Sequence, residues 1–205
     1  MDKRIYIVLL AAVLTAGYAQ AQLKFGARAG LNLTNVYQED ENGNMKGLNW
    51  KSGFQIGAVA DYALIEGVSI QPGILFSQQG MKTEGSLLGS KVKLKWDLNY
   101  IQIPINLVIS GPSLTVQAGP YLGFGIGGKL KAEADGESAS KKIKFGSGDD
   151  ADFKSFDFGL GVGAGLKFGN MQAGLGINYG LFNLGTNVKV KNIGLNLTLT
   201  YLFGK

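Results

Sequence analysis

The sequence predicts an all-β protein: an eight-stranded antiparallel up-and-down transmembrane β-barrel with short periplasmic turns and long extracellular loops. Three observations carry that expectation. Apolar and polar residues alternate with a period of two over eight segments, and no helical period competes with them. Glycine fills the polar face of several segments, most fully in FDFGLGVGAGLKF, where Gly159, Gly161, Gly163 and Gly165 take every second place. The connections alternate between short and long, and most charged residues fall in the long ones.

The first segment sets Leu23, Phe25, Ala27, Ala29, Leu31 and Leu33 against Lys24, Gly26, Arg28, Gly30 and Asn32. The second runs Phe54 to Leu64, with Gln55, Gly57 and Asp61 on its other face, and the third runs Val68 to Phe76. The fourth is irregular. Val92, Leu94, Trp96, Leu98 and Tyr100 hold one phase, and Ile101, Ile103, Ile105, Leu107 and Ile109 the other. Such a change predicts a β-bulge, or a strand passing into a new environment. Segments five to eight cover Leu114–Ile126, Phe156–Phe168, Met171–Tyr179 and Ile193–Phe203. Tight turns are expected at Glu66-Gly67, Gly111-Pro112 and Gly169-Asn170, and long connections over 34–51, 82–91, 129–154 and 182–191. Within the third of these, Asp135-Gly136 is suited to closing a hairpin that projects beyond the main sheet.

Alternation is unchanged by turning a barrel inside out, so the direction of the apolar face needs separate arguments. A face of consecutive glycines is a poor water-facing surface, whereas eight strands enclose a space only just wide enough for side chains. Inward glycine makes room there for large groups such as Arg28, Gln55 and Tyr121. Aromatics also gather at both ends of the apolar face, as at the two interfaces of a membrane barrel. Ten residues at ~3.3 Å, tilted ~40°, rise about 25 Å, which matches the lipid-facing band.

MDKRIYIVLLAAVLTAGYAQAQ begins with Lys3 and Arg4, continues with an apolar run from Ile5 to Ala16 and closes on Ala19-Gln20-Ala21. This is the pattern of a cleaved secretory signal over residues 1–21, leaving 22–205 as the barrel domain. The run is too short for a spanning helix, which needs ~20 residues. Setting aside Asp2, Lys3 and Arg4 leaves 18 basic and 14 acidic residues, a mild excess without a basic–aromatic patch, so nucleic acid is not an expected partner. Cysteine and histidine are both absent, which excludes Ser-His and Cys-His nucleophiles. No enzyme and no cofactor is expected.

The segments LNYIQIPINLVI, VQAGPYLGFGIGG, FDFGLGVGAGLKF and KNIGLNLTLTYLF together resemble the PorT-like outer-membrane β-barrel proteins. NYIQIP at Asn99–Pro104 and QAGPYLG at Gln117–Gly123 are the most specific pieces; many relatives carry glutamate where this chain has Gln102. The resemblance covers nearly all of 22–205. It implies the outer membrane of a Gram-negative bacterium, contact with its lipid, insertion by the barrel-assembly machinery, and in some relatives a link to protein secretion. The expected role is structural or interactive. A narrow specific channel for small solutes and an inverted, soluble lipocalin-like lipid carrier are the alternatives.

Two features are candidate sites, and a third is set aside. Lys24, Arg28, Asp61 and Lys167 would fall in the periplasmic half of the lumen, where opposite charges satisfy each other, with an Arg28–Asp61 contact as structural glue. Asp149, Asp150 and Asp152 in GSGDDAD form a calcium candidate without EF-hand spacing, the alternative being a solvated acidic loop. GFGIGG at Gly123–Gly128 lacks the following helix that a phosphate-binding loop requires.

Overall fold

The computed structural model describes residues 23–39, 45–47, 49–87, 90–134, 137–146, 151–183 and 189–204, so the expected signal lies outside the described residues. The strands are β1 (Leu23–Glu39), β2 (Met45–Gly47), β3 (Lys51–Ile65), β4 (Val68–Leu87), β5 (Ser90–Ser110), β6 (Leu114–Ala134), β7 (Glu137–Ile143), β8 (Phe156–Phe168), β9 (Met171–Gly180) and β10 (Lys189–Leu202). All pairings between them are antiparallel. Among the described residues, eight strands close a ring in the order β1-β3-β4-β5-β6-β8-β9-β10, and β10 returns to β1 from Gly26↔Leu202 to Glu39↔Lys189. Closure removes the sheet edges that would otherwise expose unpaired N–H and C=O groups. Glu66-Gly67 and Gly169-Asn170 make the tight turns, with Gly67 (φ 75°) and Gly169 (φ 59°) in the left-handed region. The seam is tied at its periplasmic end, where the Phe203 N–H donates to the Phe25 carbonyl at 2.6 Å.

The ring is polar inside and apolar outside. Leu175, Leu31 and Leu114 are 67, 64 and 63% exposed on the outer wall, whereas Gln71, Asp157 and Thr200 are 1 to 2% exposed within it. Only lipid makes that distribution favourable, because each buried polar group needs a partner and each outward leucine needs an apolar solvent. An inverted, soluble carrier would require the opposite distribution. Ring pairs mark the two belts: Tyr201–Phe203 at the periplasmic end, and Phe54–Phe76, Phe124–Phe156 and Phe156–Phe182 at the other. Lys154 and Lys191 lie over the Phe182 and Tyr179 rings at 5.6 and 6.0 Å, as cations anchored at the headgroup level do.

One expectation needs correction: residues 82–91 are not an open loop. Within 129–154 the chain forms paired strands on either side of 135–136, as the expected hairpin requires. β4 and β5 stay paired up to Leu87↔Ser90, while β6 and β7 stay paired up to Ala134↔Glu137, on either side of 135–136. β4 to β7 therefore form a four-stranded sheet that continues the wall beyond the membrane.

Of the two causes expected for the phase change in β5, a bulge of that strand is absent and a passage into a new environment holds. Its even residues face inward throughout: Leu98, Tyr100, Gln102, Pro104, Asn106 and Val108 are all buried. What changes at Tyr100 is the solvent. Below it the outer face meets lipid and the lumen is polar; above it the outer face meets water and the inner face is apolar. The bulge sits on the partner strand, where Asn99 pairs with Gly127 and Tyr100 with Gly125, leaving Ile126 as the extra residue.

Candidate functional site

The lumen is the concave feature that the fold builds, and side chains from all eight ring strands fill it. At the periplasmic end lies a mouth of about 210 Å³, whose wall includes Lys24, Asp61, Ser69, Lys167 and Gln172. Three members of the expected charge cluster thus share one opening. Arg28 lies deeper and is 5% exposed. It does not pair directly with Asp61. Its Nε donates to Thr200 Oγ1 at 2.8 Å and its Nη2 to Gln71 Oε1, while Gln71 Nε2 donates to Asp61 Oδ2 at 2.8 Å. A glutamine, with an acceptor and a donor on one amide, joins a cation to an anion that are too far apart to touch. Ser69 Oγ also donates to Asp61 Oδ2, at 2.9 Å. At this end of the lumen Val59, Leu75 and Leu202 form a small buried apolar cluster.

Further along is an internal void of only about 40 Å³, bordered by Arg28, Gln55, Gln102, Gln117, Tyr121 and Asn178 among others. Glycine creates the space these groups occupy. A Cβ at Gly159 would stand 2.5 Å from Tyr121 Cε1, one at Gly161 2.7 Å from Asn178 Oδ1, and one at Gly163 3.2 Å from Gln117 Nε2. Tyr121 OH and Asn192 Nδ2 donate to Asp157 Oδ2 at 3.2 and 3.0 Å, and Asn192 also donates to Gln79 Oε1 at 3.3 Å. The remaining void on this level is about 10 Å³.

Leu98, Tyr100 and Ile143 cover the extracellular end as a buried cluster, with Trp96, Leu130, Phe145 and Phe153 packed against it. Phe145 lies over Gly125, where any Cβ would collide with its ring. Lys51, 2% exposed, donates to the Gln79 carbonyl at 3.2 Å and pairs with Asp97 at 3.0 Å; Lys131 approaches the same carboxylate at 3.7 Å.

The sequence had pointed to Arg28, Gln55 and Tyr121 as inward groups, and all three are found there, together with Gln71, Gln117 and Asn178. It missed the Tyr121–Asp157–Asn192 junction and the Lys51–Asp97 pair. A carboxylate alone on the glycine face was the available signal for Asp157; nothing in the local pattern marked Lys51. Asp149 and Asp150 lie outside the described residues. Asp152 is occupied as a loop clip, accepting the Lys144 N–H at 2.9 Å and Lys141 Nζ at 3.3 Å, and the Lys144 N–H lowers its pKa. Among the described residues no cluster of metal-ligating side chains forms.

With a closed, lipid-facing ring and a polar lumen established, the comparison with known families is decisive. Residues 18–185 match the family described as outer membrane protein beta-barrel domain. The chain belongs to that family. Its place is the outer membrane of a Gram-negative bacterium, in contact with that membrane's lipid. Solved outer-membrane barrels are similar in fold. Ail, the attachment invasion locus protein of Yersinia pestis, is 16% identical with a TM-score of 0.52, over 89% of this chain and 99% of that one. Neisserial surface protein A (NspA) is 13% identical, with a TM-score of 0.49 over 87% and 97% of the two chains. OprG from Pseudomonas aeruginosa is 15% identical, with a TM-score of 0.35 over 90% and 97%. No curated protein matches the chain at a significant level.

Proposed function

We propose that this outer-membrane barrel is a non-enzymatic, non-conducting structural or interaction protein, linked to secretion or envelope assembly, which holds its extracellular sheet at the cell surface. The observation that carries this reading is the filled lumen: two internal voids of about 40 and 10 Å³, separated by hydrogen-bonded side chains. Open diffusion channels need 16 to 18 strands for an aqueous path, and eight leave an interior that side chains fill. The resemblance to PorT-like barrels supports both the link to secretion and insertion by the barrel-assembly machinery. Arg28, Asp61, Lys24 and Lys167 act in this reading as internal mortar, not as a substrate site.

Purified protein in a planar bilayer is expected to give no stable conductance steps of general-porin size. Reproducible openings of that size would promote the narrow-channel alternative, with Arg28 and Asp61 at its constriction. Orientation has its own test, because the chain carries no cysteine. A thiol introduced as Ser138→Cys should react with a membrane-impermeant maleimide on intact cells, and one introduced as Glu66→Cys should not; the reverse pattern means the barrel is inserted upside down.

A further inference from the structure

We propose that the outer face of the extracellular β4–β7 sheet docks the phosphate groups of the glycolipid surrounding the barrel in the outer leaflet. This deepens the interaction role above, but it does not depend on whether the lumen is closed.

Cross-strand register places the charges in rows. Lys82, Lys95 and Lys131 stand directly opposite one another on β4, β5 and β6. In the next row toward the membrane Asp97 faces Lys129, and Lys129 faces Lys142 on β7. In the row farther out, Glu84, Lys93 and Glu133 alternate in sign and neutralise one another. Of these three rows, the cationic excess lies in the two nearest the membrane. Asp97, the acid in those rows, is already shared by Lys51 and Lys131. Lys95, Lys129, Lys131 and Lys142 are all exposed.

Like charges directly opposite in a sheet destabilise it, and a run across three strands does so twice. A solvated charged surface has no need of that arrangement, since alternation in sign serves as well, as it does in the row of Glu84, Lys93 and Glu133. The arrangement becomes favourable when an anion bridges the rows.

The face is also aimed at the leaflet. On β5 the residues that meet hydrocarbon, Ile101, Ile103 and Ile105, have the same parity as Lys93, Lys95 and Asp97. On β6 the parity would be wrong, because Phe124 and Ile126 are even and Lys129 and Lys131 odd. The bulge at Ile126 corrects it, setting Lys129 opposite Asp97 and Leu130 opposite Trp96. Without that extra residue the β6 lysines would point over the lumen. Five to seven residues separate Phe124 from Lys129 and Lys131, which puts their heads roughly 10 to 20 Å above the aromatic belt. Phosphate groups attached to the glycolipid head lie laterally within reach, whereas a soluble polyanion would have to enter between the sheet and the surrounding headgroups.

The test uses full-length protein in neutral detergent, titrated with bisphosphorylated lipid A and with the same lipid stripped of phosphate, with bound lipid read by native mass spectrometry. The phosphorylated form should bind roughly tenfold more tightly at low salt, and the gap should shrink as salt screens the charges. Combined Lys95→Gln, Lys129→Gln and Lys131→Gln substitutions should remove most of that gap. Equal affinity for both lipids, or a gap that the triple variant leaves intact, overturns the proposal. So does displacement of lipid A by a soluble sulfated polysaccharide at matched charge, which would make a free polyanion the partner. Should the triple variant fail to show the heat-dependent gel mobility of a folded barrel, the phosphate and salt dependence of the unaltered protein decides. Conductance of the same preparation reports separately on the closed lumen.

Discussion

Gly159→Val is expected to abolish folding of the barrel. The Cβ it introduces would overlap the Tyr179 carbonyl of β9 and lie 2.5 Å from the Tyr121 ring. A flexible side chain could yield, but the carbonyl is held by the β8–β9 ladder, which pairs Leu160 with Tyr179 and Gly159 with Gly180. Overpacking a fitted core costs about 1–3 kcal/mol, and more where backbone must move. Tyr121→Ala in the same chain should relieve the ring but not the carbonyl, so the rescue should be partial. Gly85→Ala is the control: nothing lies within 4 Å of its added Cβ and the substitution should be silent. The readouts are the fraction of protein with folded gel mobility and the urea midpoint of what folds. Normal stability of Gly159→Val would show that the glycine face is not the means by which the lumen is filled.

That glycine face was the most legible feature of the sequence, and its physical meaning explains what could and could not be read. Alternation gave the ring strands because a wall with lipid on one side and a narrow polar space on the other imposes period two on every residue that spans it. Outside the membrane that constraint lapses. Segment 82–91 carries Lys82, Glu84 and Lys91, and charge alone suggested a loop there, whereas in 129–143 the Asp135-Gly136 pair marked the hairpin and Leu130 and Ala132 alternate with lysines as in a sheet with one wet face. The fourth segment contained the clue, in the reversal at Tyr100, but one strand cannot reveal that its neighbour carries the bulge. Contacts across the lumen were less legible still. Arg28 and Asp61 were both marked as inward, but the register of β4 against β3, which inserts Gln71 between them, is a property of the closed ring and not of either strand.

Removing the Arg28 guanidinium is expected to cost about 2–4 kcal/mol, measured as the urea unfolding free energy of Arg28→Met in lipid vesicles. The loss should come mainly from the donors that Thr200 and Gln71 would no longer receive, since both are buried. Asp61 should suffer less. It retains the Ser69 hydroxyl and the Gln71 amide, borders the open periplasmic mouth, and stands opposite Lys24 on β1. The double-mutant cycle with Asp61→Asn therefore separates two possibilities. A direct buried ion pair would give a coupling close to the full cost of losing Arg28, whereas a relay through one amide should give about 1 kcal/mol. Gln71→Leu should reduce even that to nearly nothing, because it cuts both hydrogen bonds while leaving the two charges in place. A coupling that survives Gln71→Leu would mean that Arg28 and Asp61 act on each other through the field of the lumen, and the glutamine would lose its role as the link.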